Sequence, residues 1–159
     1  AWEVARRVRR LFRGGRIVDL GGGHGLLAQT LLILDDTSPG AIVVDRVLPP
    51  SAAKLHEALI RTWPRLEGRV AFVAMGIDDV DAHGTDLVVS CHACGNLTDV
   101  VLDKAVSVRA RVAVLPCCHH LKTGDTIEVL VEWWDDEDER VILSKDKAAN
   151  VKVWESIKK

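Results

Sequence analysis

Apolar residues in this chain follow two alternating patterns. Short runs rich in Val, Ile and Ala occupy residues 16–19, 41–45, 69–74, 86–90 and 111–115. They are apolar almost throughout, as strands of a parallel sheet become when helices cover both faces and the in-out alternation is lost. Between them, segments of helical period predict helices over 25–34, 51–63 and 98–108. The second of these has Leu55, Ala58, Leu59 and Thr62 as its inward stripe and Ser51 as its cap, and the third has Thr98 as its cap. Residues 35–40 and 48–50 carry the Pro and Gly breakers of turns. Strand and helix in alternation are the sign of βαβ units, so the predicted fold class is α/β with a doubly wound, Rossmann-like parallel sheet.

The pattern extends unevenly beyond this core. Residues 2–12 predict a helix with Trp2, Val4, Ala5, Val8, Leu11 and Phe12 near one face and Arg6, Arg7, Arg9 and Arg10 around the rest. Past residue 120 the reading is of a helix over 125–134 with an Asp125/Glu128 capping box, a second helix over 137–150, and a strand over 151–157. The acidic run from Asp135 to Glu139 reads as a solvated loop or helix start.

Composition narrows the class. A chain of 159 residues, 48% hydrophobic, has enough apolar surface for one folded domain, expected to span residues 1–159. A formal net charge of -2 gives no global attraction to nucleic acid or to an acidic membrane, so such a partner would need a local basic patch. No apolar run approaches the roughly 20 residues that span a bilayer, and the first residues lack a signal peptide's apolar stretch. The chain therefore reads as cytoplasmic, without membrane contact.

Candidate chemistry gathers at the ends of the predicted strands. The first strand runs into Gly21-Gly22-Gly23-His24-Gly25 and then into a helix, the G-x-G-x-G spacing that lets backbone approach a ligand. Alone, that turn is shared by several nucleotide-binding folds. Two acids sharpen it. Asp19, two residues before the first glycine, stands where dinucleotide folds usually carry glycine; its charge would repel a pyrophosphate but hold the amino group of a cationic amino-acid moiety. Asp45 ends the second strand, where a carboxylate can take ribose hydroxyls. A cationic, phosphate-free nucleoside such as S-adenosylmethionine (SAM) fits both. The candidate cofactor-binding residues are Asp19, Gly21, Gly22, Gly23, Gly25, Asp45, Arg46, Gly76, Ile77 and Cys91. Gly76 and Ile77 follow the third strand, where backbone groups and the Ile77 side chain would hold adenine, with Asp78 as a polar substitute.

A second constellation follows the fourth and fifth strands: Cys91-His92-Ala93-Cys94-Gly95-Asn96-Leu97-Thr98-Asp99 and Pro116-Cys117-Cys118-His119-His120. If those strands are neighbours, both clusters converge beside the cofactor. Three readings stay open. His92 and His119 or His120 orient or deprotonate a nucleophile; the cysteines with a histidine bind zinc; or the cysteines are buried packing residues. The catalytic candidates are His92, His119 and Cys117, and no metal ligand is assigned.

Together, the Asp19–Gly25 turn and the two cysteine-bearing motifs resemble a branch of class I methyltransferases with H-x-C-G-x-x-x-D and C-C-H signatures. It includes methyltransferase-like proteins, bacterial relatives and a tRNA 2′-O-methyltransferase. The resemblance covers about residues 17–120, making 1–15 a leading basic helix, 16–120 the cofactor-binding core and 121–159 a C-terminal part. It implies SAM as cofactor and methyl transfer to an unidentified acceptor, with RNA one candidate through Arg6, Arg7, Arg9, Arg10, Arg13 and Arg16. The chain reads as stopping before the final strand pair of that sheet. It also departs from the tRNA enzyme, which continues C-C-H-H with Arg and Cys where Leu121 and Lys122 stand here, so tRNA is not implied as the substrate. A zinc-stabilised binding module and a nucleotide-dependent oxidoreductase are the alternatives.

Overall fold

The computed structural model describes residues 1–116 and the backbone of two later strands, 130–135 and 140–144. The chain forms two compact units, Ala1–His120 and Leu121–Lys159.

The first unit runs α1 (Trp2–Leu11), β1 (Ile17–Leu20), α2 (Leu26–Leu34), β2 (Ala41–Asp45), α3 (Ser51–Thr62), a 3₁₀ turn at Pro64–Leu66, β3 (Val70–Ala74), β4 (Leu87–Ser90), α4 (Asn96–Ser107) and β5 (Arg111–Val114). The five strands are parallel in the order β3-β2-β1-β4-β5. Sequence order therefore reverses between β1 and β4, and the crevice beyond their carboxyl ends is where open α/β sheets bind ligands. Every residue of β1 and β4 is buried. Their side chains alternate between two cores: Ile17, Leu87 and Val89 meet Ala28 and Leu31 of α2, while Val18, Leu20 and Val88 meet Val101 and Ala105 of α4. Burial on both faces explains why these strands read as unbroken apolar runs.

α1 departs from its expected apolar face. Ala5 and Val8 are buried, but so is Arg9, whereas Trp2 and Leu11 are 57% and 76% exposed. The cause is Asp35, just past the end of α2. Arg9 pairs with it at 3.1 Å, and its guanidinium also donates to the Leu31 carbonyl at 3.1 Å and the Ser38 hydroxyl at 2.8 Å. A helix C-terminus with unpaired carbonyls attracts a cation, and here that draws α1 onto α2 through its polar face. Arg16 is likewise engaged by Asp86, at 2.7 Å, and by the Asp81 carbonyl.

Two expected caps are corrected. Pro50 occupies the N-cap of α3, and Ser51 makes no capping bond. α4 begins earlier than expected, with Gly95 at its N-cap, and the Thr98 hydroxyl instead donates to the Ala93 carbonyl.

The second unit contains β6 (Leu130–Asp135) and β7 (Arg140–Ser144), paired antiparallel. They stand over 130–134 and 140–144, where helices were expected, and the remainder of the helices expected over 125–134 and 137–150 lies outside the described residues. Val131, Trp133, Trp134, Val141 and Ile142 are β-branched or aromatic residues that favour a pleated surface; of the acidic run, Asp135 ends β6 and the rest lies outside the described residues. The strand expected over 151–157 lies outside the described residues. Among the described residues, no helix is long and apolar enough to cross a membrane.

Candidate functional site

The chain leaves β1 through the glycine turn and enters α2 with no room for side chains at two points. A Cβ on Gly22 would lie 2.8 Å from Asp19 Cγ and from Val43 Cγ1. One on Gly25, whose φ is +69°, would lie 2.7 Å from Val43 Cγ2 and 2.9 Å from the Phe72 ring. The turn is thus pressed onto the ends of β1, β2 and β3, and hydrogen bonds from Gly22 N to the Val44 carbonyl (3.1 Å) and from Gly25 N to the Gly22 carbonyl (2.8 Å) close it.

Two carboxylates flank the turn. Asp45, at the end of β2, accepts the Gly23 N–H on Oδ2 at 3.0 Å, leaving its other oxygen available to a ligand. Asp19 is 1% exposed and accepts the Ala28 N–H at 3.2 Å. Burial pushes its carboxyl up to about 7; the Ala28 bond opposes the rise and the nearby Asp45 charge adds to it.

Asp19, Gly21, Gly22, Gly23, Asp45, Cys91 and His92, seven of the residues singled out in the sequence, line one cleft of ≈ 630 Å³, a volume suited to a nucleoside-sized ligand. Sequence reasoning missed His24, Leu26, Leu27, Leu55 and Leu97, which also line it. His24 was visible inside the glycine motif; the leucines come from the starts of α2 and α4 and from α3, and only tertiary packing brings them together. Among the described residues, no lysine or arginine lines the cleft.

Other expected members stand elsewhere. Gly25 is buried beneath the turn, where it permits the close approach without lining the cleft. Arg46, Gly76 and Ile77 do not line it either. Ile77 is 9% exposed and packs with Val18, Leu20 and Val44, so its side chain is used by the core on the α4 side of the sheet. Cys117 and His119, with Cys118 and His120, lie outside the described residues.

The β4 end supplies Cys91 and His92. Cys91 is half-buried, and burial together with the Asp19 charge pushes its thiol up, which disfavours the thiolate a nucleophile or zinc ligand needs. His92 is exposed on the cleft, within reach of an incoming molecule. Among the described residues no group of His, Cys, Asp or Glu has the arrangement of a metal site.

A family model described as a methyltransferase domain matches residues 4–124. No curated protein matches the chain. Among solved structures, a candidate O-methyltransferase of Nostoc punctiforme is 19% identical with a TM-score of 0.53, the match covering 71% of this chain and 35% of that one. A candidate RNA methyltransferase of Pyrococcus horikoshii is 20% identical with a TM-score of 0.50, covering 67% of this chain and 52% of that one. An O-methyltransferase of neocarzinostatin biosynthesis, solved with SAM and 2-hydroxy-5-methyl naphthoic acid, is 28% identical with a TM-score of 0.48, covering 63% and 31%. The first two likenesses support the Rossmann-like fold. The chain spans about a third to a half of the length of these solved chains.

Proposed function

The chain belongs to the methyltransferase domain family, and from that premise we propose that it transfers a methyl group from SAM to a nucleophilic acceptor. The observation that carries the reading is the charge of the cleft. Two carboxylates flank a bare-backbone turn, and among the described residues no lysine or arginine lines the cleft to neutralise a phosphate. A pyrophosphate would meet unscreened repulsion in this setting, while a cationic nucleoside meets attraction. The residues also fit the group sterically, because Gly21, Gly22 and Gly23 line the cleft without side chains.

In this reading Asp19 holds the cationic amino-acid end, the free oxygen of Asp45 takes ribose hydroxyls, and the glycine turn sets their spacing. Bound SAM supplies an electrophilic methyl on a cationic sulfur. The protein's contribution is to orient the acceptor beside it and, where the nucleophile carries a proton, to remove that proton. His92 is our first choice for the base, and His119 and Cys117 complete the proposed catalytic set. Arg46, Gly76 and Ile77 are kept as outer contacts of the nucleoside through backbone groups.

We assign the chain to the H-x-C-G-x-x-x-D branch on the motif that follows β4. RNA as acceptor has lost part of its motive, since Arg9 and Arg16 are engaged by Asp35 and Asp86. Arg10 and Arg13 remain exposed, as do Arg6 and Arg7, both bridged to Glu3.

Calorimetry with S-adenosylhomocysteine (SAH) and, separately, NADH tests the cofactor. Binding of the first alone is expected; binding of NADH alone would move the chain to the oxidoreductases. His92→Ala should keep SAH affinity within about twofold while cutting labelled-methyl transfer into an RNA or small-molecule pool at least about a hundredfold. Transfer at the full rate would remove His92 from the catalytic set.

A further inference from the structure

α3 is held to the rest of its unit in an unusual way. Of its twelve residues only Ala52 is fully buried, with Leu59 and Ile60 packed partly against the core. A surface helix normally anchors itself through a broad apolar stripe. This one contributes Leu55 to the wall of the cofactor cleft yet has little apolar burial to fix where that wall stands.

Two polar contacts, both to the segment that opens α2, supply the fixing. Nε2 of His24, inside the glycine turn, lies 2.7 Å from the Ser51 hydroxyl at the start of α3. One turn and a half further along, His56 Nδ1 lies 2.8 Å from Gln29 Oε1. The direction of the second bond follows from donor counting. Gln29 is fully buried and its Nε2 donates to the Gly25 carbonyl at 3.2 Å, so its Oε1 faces His56 and the imidazole must be the donor. Gln29 thereby ties α3 to the last glycine of the turn. The His56 ring also meets Phe72 of β3 edge-on, with centroids 5.5 Å apart, and Phe72 is the ring that a side chain at position 25 would strike.

We propose that His24–Ser51 and His56–Gln29 are a pair of positioning clamps that seat α3, and with it Leu55, against the glycine turn and so set affinity for the nucleoside cofactor. The proposal rests on the SAM reading of the cleft. A clamp of this kind acts by population: if α3 is seated only part of the time, apparent affinity falls by that fraction. Thin apolar burial makes the seated fraction sensitive to each hydrogen bond.

The test uses the full chain with Ser51→Ala, His56→Leu and the double variant, and exposed Lys54→Ala on the same helix as control. Ser51 is exposed, and leucine at position 56 keeps apolar contact with Phe72 but leaves the buried Gln29 Oε1 without its donor, so the exchange of β1, β2 and β4 reports whether the fold is kept. Two readouts are taken: SAH affinity by calorimetry, and amide hydrogen exchange of α3 without ligand. The double variant should bind SAH about tenfold more weakly, the scale of two lost hydrogen bonds. Its unliganded α3 should exchange faster while β1, β2 and β4 keep their protection, and saturating SAH should restore the α3 protection. Affinity within about twofold of the parent, or protection lost across the whole sheet, would overturn the clamps. A parent chain that bound no SAH would sink the SAM reading instead, and the unliganded exchange of α3 would still report on the clamps.

Discussion

Two carboxylates are buried in the same unit and meet opposite fates. Asp35, 3% exposed, sits at the junction of α1 and α2; Asp19, 1% exposed, sits on the cleft. Burial raises both. Around Asp35 it is outweighed by the Thr37 hydroxyl and N–H at 2.7 and 3.1 Å, the Gly14 N–H at 2.9 Å and the Arg9 guanidinium, and the carboxyl is held at about 2. Asp19 receives one N–H and a second negative charge, and rises to about 7. Deeper burial and fewer donors separate Asp19, which the fold has left short, from Asp35, which lies in a shallower site and is fully compensated. The uncompensated one lies where a ligand can supply the missing cation, as perturbed groups at functional sites tend to do.

The contrast can be broken most forcefully at its structural end. Asp35→Asn leaves the Arg9 guanidinium buried against a neutral partner and should lower stability by about 3–5 kcal/mol in urea titration, with SAH affinity of the folded fraction unchanged. A loss under about 1 kcal/mol would mean that Asp35 is not the compensated acid described here. At the other end, Asp19→Asn should do the reverse. Unliganded stability at pH 8 should hold or rise, because a desolvated charge is gone, while affinity for the cationic cofactor falls about a hundredfold, or 2.7 kcal/mol. Asp45→Ala comes next. One of its oxygens is taken by Gly23, so the loss should be about tenfold, roughly 1.4 kcal/mol. Unchanged affinity would mean that the ribose is held elsewhere.

How far each acid could be read from the sequence follows from the same physics. That Asp19 and Asp45 would meet at one cleft was legible because the signals are local: each lies at the end of an apolar run, and the glycines beside Asp19 mark the turn. β1 and β4 were legible because burial on both faces leaves an unbroken apolar signal. Asp35 read only as part of a turn, since its partner Arg9 is 26 positions away and looked like one arginine of a solvated face. Such a pairing depends on how α1 crosses α2, which hydrophobic periodicity does not encode. Ile77 was placed in the adenine pocket because its position matched the end of a strand, but the core competed for the same side chain and took it. Over 130–134 and 140–144 the expected helices gave way to β6 and β7, because an Asp125/Glu128 capping signal is local and weak beside the preference of Val131, Trp133, Trp134, Val141 and Ile142 for a pleated strand.

The finest test is pH, because the two acids should answer it with opposite signs. Asp35 is depressed when folded, so its contribution is present above about 4 and is lost as pH falls toward 2. Asp19 is raised when folded. Its favourable, protonated burial is complete below about 4 and is lost as pH climbs to about 7, so unliganded stability should slope downward across that window and flatten above it. Binding the ammonium of SAH beside Asp19 favours its ionised form, so the same titration makes SAH affinity increase with pH. From pH 6.5 to 7.5 the ionised fraction of a group near 7 rises about threefold, and affinity should rise with it. The control is Asp19→Asn, which removes this carboxyl and keeps every other group of the cleft. Equal slopes in the parent and in that variant would show Asp19 to be as well compensated as Asp35, and the cleft would lose its claim on a positively charged ligand.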